Sequence, residues 1–147
     1  MSIEDDVVLL QQVPTLRLLG SGPLRMLAIG SEPRAVARGE MLFKQGEDAD
    51  CAFVVQRGAV RVHDDRGAEI MAGPGSLIGE LALVVATRRP STATALEHGS
   101  VIRISRNLFH RVLESDPAAA RRLRDEFANR SSRLASDILM AGGKLTT

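Results

Sequence analysis

The sequence predicts an α+β domain, in which an antiparallel β-roll occupies the middle of the chain and helices flank it on both sides. Hydrophobic residues recur at helical spacing near both ends of the 147-residue chain. In the middle, short runs rich in β-branched residues alternate with glycine-marked turns. Turns this closely spaced favour a compact antiparallel roll or barrel over a parallel sheet, whose strands need long crossovers.

The N-terminal segment, residues 1–33, predicts two short helices. The first spans residues 4–12, and the second spans residues 21–30 with Ser21 as its N-cap. In the first helix, Val8, Leu9 and Gln12 should lie roughly on one side. In the second, the apolar stripe is Leu24, Leu27 and Ala28.

The β-roll is predicted over residues 34–105. The tripeptide Asp65-Arg66-Gly67 fits a hairpin turn between the runs VRVH and AEIM. Val60 and Val62 should share one face of the first run, because successive side chains point to opposite faces of a strand. The opposite face then carries charged and polar side chains.

The C-terminal segment, residues 106–141, predicts two helices. Ser105 is the expected N-cap of the first, and Asp116-Pro117 starts the second with a cap followed by proline. The second helix should run to about Met140 and end at Gly142-Gly143. Its apolar stripe permits a homodimer through this helix and consists of Leu123, Phe127, Leu134, Ile138 and Ala141.

Composition argues against several functional classes. The net charge of +1 and the absence of Trp and Tyr argue against nucleic-acid binding by this chain alone. The three histidines are scattered, so no metal site is predicted, and no spacing of nucleophile and base predicts an enzyme. Cys51 is alone and predicts a small buried hydrophobe in a reducing compartment. No apolar run could span a membrane and the N-terminus is acidic, so we expect a cytoplasmic protein or a soluble module of a larger one.

The candidate site lies in the stretch GELALVVATRRPSTATA. Backbone N–H groups at a helix start can bind an anion, and Gly79 would let a ligand approach the backbone closely. A carboxylate there only accepts hydrogen bonds, so Glu80 is predicted to bind a ribose hydroxyl. Arg89 can hold the phosphate with a bidentate fork. The hydroxyl and backbone N–H groups of Ser91 and Thr92 would complete the set of groups around it. These residues predict a nucleotide monophosphate with both sugar and phosphate inside the protein.

Each of these residues also has a plainer interpretation. Glu80 can simply complement the partial positive charge of a helix N-terminus. Arg89 can be an ordinary surface arginine, and Ser91 and Thr92 can be strand residues chosen for β-propensity.

The stretch resembles the phosphate-binding cassette of the cyclic nucleotide-binding domain family, which includes the bacterial catabolite activator, regulatory subunits of cAMP-dependent protein kinase and cyclic-nucleotide-gated channels. The family pattern is Gly-Glu-Leu-Ala-Leu, a short turn, Arg, a small residue and Thr or Ser. This chain has it at 79–83, 89, 91 and 92. The upstream run GEMLFKQGEDADCAFVVQRGAVRV is also similar to the family, so the resemblance covers about residues 8–140. It implies one jelly-roll-like domain (a double-stranded β-helix) over residues 1–147, with the cassette at 78–95.

The resemblance implies binding of cAMP or cGMP without catalysis. Glu80 would bind the ribose 2′-hydroxyl and Arg89 the cyclic phosphate. The backbone N–H groups of Leu81 and Ala82 would contact phosphate or ribose, and Ser91 would contact the phosphate.

The chain departs from the family pattern in several places, the first being Arg88, which stands where the family often has Pro. Pro90 follows the key arginine and has neither the hydroxyl nor the N–H that would favour guanine, which favours cAMP. Leu134 and Ala135 stand where the bacterial activator presents two hydroxyls to adenine. Purine recognition would then use an apolar lid, with Leu134 or Ile138 as candidates.

Three functions remain open on this basis. The first is a cAMP sensor whose C-terminal helix closes over the ligand and signals to an unknown protein effector. The second is a nucleotide-free module of the same fold for dimerisation or partner docking. The third is the ligand-sensing part of a transcription regulator that lacks its DNA-binding domain.

Overall fold

Two antiparallel four-stranded sheets face each other across an apolar core, and helices pack on the outer face of one sheet. The computed structural model describes the backbone of residues 2–140 and, apart from residues 127 and 130–140, their side chains. The helices are α1 (Ile3–Gln11), α2 (Pro14–Arg17), α3 (Ser21–Gly30), the 3₁₀ helix Glu80–Leu83, α4 (Arg106–Ser115) and α5 (Pro117–Met140). The strands are β1 (Glu32–Val36), β2 (Met41–Phe43), β3 (Asp48–Ala49), β4 (Cys51–Arg57), β5 (Val60–His63), β6 (Glu69–Ala72), β7 (Leu77–Ile78), β8 (Thr87–Arg88), β9 (Thr92–Ala95) and β10 (Gly99–Ser105).

Within the described part of the chain, strand pairing is antiparallel throughout. One sheet has the order β1-β10-β4-β7 and the other the order β2-β9-β5-β6, while β3 and β8 form a separate ribbon. The hairpin expected at Asp65-Arg66-Gly67 is confirmed, since β5 pairs with β6 from Val60 opposite Ala72 to His63 opposite Glu69. The predicted α+β class and the helix-flanked β-roll are therefore confirmed.

Strand β4 separates two cores. Ala52 and Val54 face the helices, whereas Cys51, Phe53 and Val55 face the interior between the two sheets. Both faces are buried, which explains why this strand reads as an unbroken apolar run instead of alternating. The inner face of β4 reaches the candidate site through Cys51, whose sulfur lies 3.3 Å from Arg89 Nη2.

The N-terminal helices are placed as predicted but differ in detail. Ser21 is the first residue of α3 and not its cap. Gly20 occupies the N-cap position with φ +84°, and no side-chain hydrogen bond caps this helix. Val8 is 57% exposed, and α1 instead buries Asp6 and Leu10. The expected stripe of α3 is correct, since Leu24, Leu27 and Ala28 are buried. The short helix α2 was not predicted.

The C-terminal helices begin where the sequence places them. The side chain of Ser105 accepts a hydrogen bond from the N–H of Leu108 at 3.1 Å, and that of Asp116 accepts one from the N–H of Ala119 at 3.1 Å. Helix α5 is described as far as Met140. The predicted stop at positions 142–143 and the side chains of Leu134, Ile138 and Ala141 lie outside the described residues.

The strands begin at Glu32, slightly before the predicted start of the β-roll. The interpretation of residues 1–147 as one domain remains a prediction. Within the described residues, none of the helices combines the length and the hydrophobicity that a membrane span needs.

Candidate ligand-binding site

A cavity of about 360 Å³ opens beside the 3₁₀ helix, between the inner faces of the two sheets. The hairpin β5–β6 supplies an apolar wall that includes Val62, Ile70 and Met71. The lining also contains the polar residues Arg89 and Ser91. The cavity thus offers a group suited to an anion and apolar side chains suited to a flat apolar group.

Arg89 is the main charged group of this cavity, and its side chain is 5% exposed. Its Nη2 donates to Cys51 Sγ at 3.3 Å, and its guanidinium carbon lies 4.1 Å from the ring centroid of Phe43. Its Nε and Nη1 are buried and have no hydrogen-bond partner. An unpaired buried donor costs about 1–3 kcal/mol, so this arrangement favours an anionic ligand that supplies the missing acceptors.

The backbone around Arg89 is held on both sides. Its N–H donates to the carbonyl of Glu47 at 2.8 Å, and its carbonyl accepts from the N–H of Gly46 at 2.9 Å. This pairing continues the β3–β8 ribbon, in which Arg88 lies opposite Asp48. Arg88 is 79% exposed, so two adjacent arginines have opposite environments.

Gly79 is required at its position for two reasons. Its φ is +80°, in the left-handed region that side chains rarely adopt. A Cβ atom there would also lie 2.6 Å from Arg89 Nη1 and 3.5 Å from the carbonyl oxygen of Cys51. The glycine therefore makes room for the guanidinium. It also lines the cavity, and the close ligand approach at Gly79 stays a prediction.

The residues after Gly79 form the 3₁₀ helix, and their side chains differ in solvent exposure. The N–H of Ala82 donates to the carbonyl of Gly79 at 3.1 Å, so this amide is used within the turn. The side chain of Leu81 is 55% exposed, and Ala82 is buried.

The carboxylate of Glu80 contacts the N-terminal helices. Its Oε1 accepts a hydrogen bond from Thr15 Oγ1 at 3.1 Å, and Thr15 is only 3% exposed. The carboxylate predicted to bind ribose thus connects the 3₁₀ helix to α2. Thr15 was not predicted, and its position 65 residues earlier in the chain leaves no local signal.

The two hydroxyl residues of the cassette have different positions. Ser91 lines the cavity. Thr92 lies in β9, and its Oγ1 accepts a hydrogen bond from the N–H of Gln45 at 3.0 Å, which supports the plainer interpretation of a strand residue. The side chain of Leu134, the proposed lid, lies outside the described residues.

Arg106 was also missed by sequence reasoning. Its Nη1 lies 3.0 Å from the carbonyl of Ala49, 3.3 Å from that of Ala82 and 3.1 Å from that of Val85. Because Arg106 is the first residue of α4, these contacts attach the 3₁₀ helix to the start of the C-terminal helices. Among the described residues, no group of three or more His, Cys, Asp or Glu side chains could hold a metal ion.

The chain resembles known proteins over most of its length. The model of the cyclic nucleotide-binding domain matches residues 33–116. The cAMP-dependent protein kinase regulatory subunit of Eremothecium gossypii is 35% identical over 105 residues, which are 70% of this chain and 23% of that protein. This chain therefore spans about a quarter of that subunit.

Solved structures show the same fold. A cyclic nucleotide-binding-like protein from Brucella abortus is 38% identical with a TM-score of 0.67, and the match covers 75% of this chain and 98% of that one. The N-terminal domain of a transcriptional regulator from Streptomyces coelicolor is 28% identical with a TM-score of 0.79, covering 88% and 94%. The chain belongs to the cyclic nucleotide-binding domain family.

Proposed function

We propose that the chain is a regulatory domain that binds cAMP in the cavity beside the 3₁₀ helix. The observation that carries the proposal is the buried guanidinium of Arg89, whose Nε and Nη1 have no partner. The cyclic phosphate carries one negative charge and oxygen acceptors, so it would complete these hydrogen bonds without any metal. The chain is also similar to a kinase subunit whose name states cAMP dependence.

The ribose would lie between the phosphate and the 3₁₀ helix. In that position its 2′-hydroxyl would compete with Thr15 Oγ1 for the carboxylate of Glu80. Ligand binding would then loosen the link between the 3₁₀ helix and α2. The backbone N–H groups of Leu81 and Ala82 remain proposed contacts, with the Ala82 amide first having to leave the carbonyl of Gly79.

The purine would pack on the apolar wall of the hairpin. Ile70 and Met71 are 65% and 60% exposed, which leaves apolar surface that a base could cover. Helix α5 would close from the other side with Leu134 as the lid. An effector protein would respond to the position of α5, because the ligand stabilises only the arrangement for which it has the higher affinity.

Isothermal titration with cAMP and cGMP tests this proposal on purified chain freed of bound nucleotide. Mass spectrometry of the small molecules released during that step would identify the ligand carried from the cell. We expect Arg89→Gln to weaken cAMP binding by about thirty-fold or more, since charge-assisted hydrogen bonds worth about 2 kcal/mol are lost.

Arg88→Gln is the matched control, because Arg88 is the neighbouring residue and carries the same charge on an exposed side chain. It should leave the affinity nearly unchanged. No binding of either nucleotide at millimolar concentration would favour the nucleotide-free docking module. Equal losses in the two variants would place the phosphate elsewhere.

A further inference from the structure

Cys51 is buried between the two sheets and contacts Arg89. It begins β4 on the strand's inner face and is 4% exposed. Its sulfur lies 3.3 Å from Nη2 of Arg89, although the two residues are 38 positions apart in the chain. The thiol is therefore in contact with the cation that the proposed function assigns to the phosphate.

The surroundings of Arg89 give this contact its importance. Among the side chains that the structure describes, no carboxylate lies within ion-pair distance of the Arg89 guanidinium. The ring of Phe43 lies at 4.1 Å and stabilises the charge, but attraction to a ring face does not select one rotation of the guanidinium within its own plane. A hydrogen bond is directional, so the contact with Cys51 can select that rotation.

A sulfur atom also differs from a carboxylate in charge. A thiol is a weak, neutral acceptor, so it orients the guanidinium without neutralising it. Nε and Nη1 then remain unpaired, and the full positive charge remains available to an anion.

We propose that Cys51 is a positioning residue for the ligand phosphate, acting through the orientation of Arg89. This inference rests on the proposed function, because it assumes that Arg89 binds a cyclic phosphate. It adds a residue that neither the cassette pattern nor the cavity lining identifies.

A double-mutant cycle on the full chain tests the inference. Cys51→Ala and Cys51→Val should each weaken cAMP binding by about five-fold, the factor that corresponds to one hydrogen bond of about 1 kcal/mol. Cys51→Ser retains an acceptor and should bind within about two-fold of the wild type. In the Arg89→Gln background, Cys51→Ala should cause no further loss, because the group it orients is gone.

Folding of each variant is checked by far-UV circular dichroism during urea unfolding, since the chain has no Trp or Tyr for fluorescence. Cys51→Val fills the site with apolar volume and serves if Cys51→Ala does not fold. Wild-type affinity in both apolar variants, or an equal loss in the Arg89→Gln background, would overturn the positioning role alone. Failure of the wild type itself to bind nucleotide would overturn the proposed function, and this inference with it.

Discussion

Replacing Arg89 with methionine should make the ligand-free protein more stable and abolish its response to nucleotide. Arg89 is 5% exposed, and two of its nitrogens are buried without a partner. Methionine has a similar length and can fill the same space without a charge or an unpaired donor. The variant therefore tests whether this side chain is retained for ligand binding at a cost to folding.

The expected magnitude follows from the contacts of the guanidinium. Two unpaired nitrogens cost about 1–3 kcal/mol each, or about 4 kcal/mol together. The contact with Phe43 contributes about 2 kcal/mol and the hydrogen bond to Cys51 about 1 kcal/mol. The difference predicts a gain of about 1 kcal/mol in the free energy of unfolding of Arg89→Met, or about 3–5 °C in Tm.

With cAMP bound, the wild type should become more stable than Arg89→Met. cAMP at a hundred times its Kd stabilises the wild type by about 2.7 kcal/mol, whereas Arg89→Met should gain little. Urea unfolding followed by circular dichroism, with and without cAMP, measures both effects. Arg88→Met is the matched control and should alter neither value appreciably, because that side chain is 79% exposed.

A ligand-free Arg89→Met variant that is less stable than the wild type by about 2 kcal/mol or more would refute the reasoning. The guanidinium would then contribute more to the fold than its unpaired donors cost. An unchanged response to cAMP would refute the assignment of the phosphate to this residue.

Two further predictions concern backbone geometry and helix capping. Gly79→Ala should destabilise the chain by about 1–2 kcal/mol because of the left-handed φ at this position, and by more because the new Cβ clashes with the guanidinium. Thermal unfolding followed by circular dichroism measures the loss of stability, and titration with cAMP measures the accompanying loss of affinity. Unchanged stability and affinity would show that the turn can adapt. Ser105→Ala should destabilise the chain by about 1 kcal/mol because the side chain that caps α4 is lost; Ser105→Asp should retain most of the wild-type stability, and equal losses in the two variants would argue against the cap.

Prediction from sequence succeeded where the structure depends on neighbouring residues. The caps at Ser105 and Asp116 follow from local hydrogen bonds within one turn, and both are present. The hairpin between β5 and β6 follows from a turn sequence that few other conformations accept.

Prediction failed where short elements depend on distant partners. Helix α2 has only four residues, too few to show a helical period. Helix α1 buries Asp6 because Gln56 Nε2 donates to its Oδ1 at 3.1 Å, across 50 positions of the chain. Hydrophobicity alone places Val8 inside, yet the structure leaves it exposed.

The candidate site shows the same division. The glycine, glutamate and arginine of the cassette can be identified from the sequence, because backbone conformation and charge restrict which residues fit there. Their contacts cannot be predicted from the sequence, since Thr15, Phe43 and Cys51 reach the cassette only when separate strands and helices pack together.

The types of secondary structure, the position of the cassette and its charged groups are predictable from the sequence alone, because they depend on local conformational preferences and on side-chain chemistry. The burial of Arg89, the exposure of Arg88 and the contact of Glu80 with Thr15 arise only when distant segments pack together. Those outcomes depend on which groups from distant parts of the chain fill the space around each side chain, and the local sequence carries no information about that space.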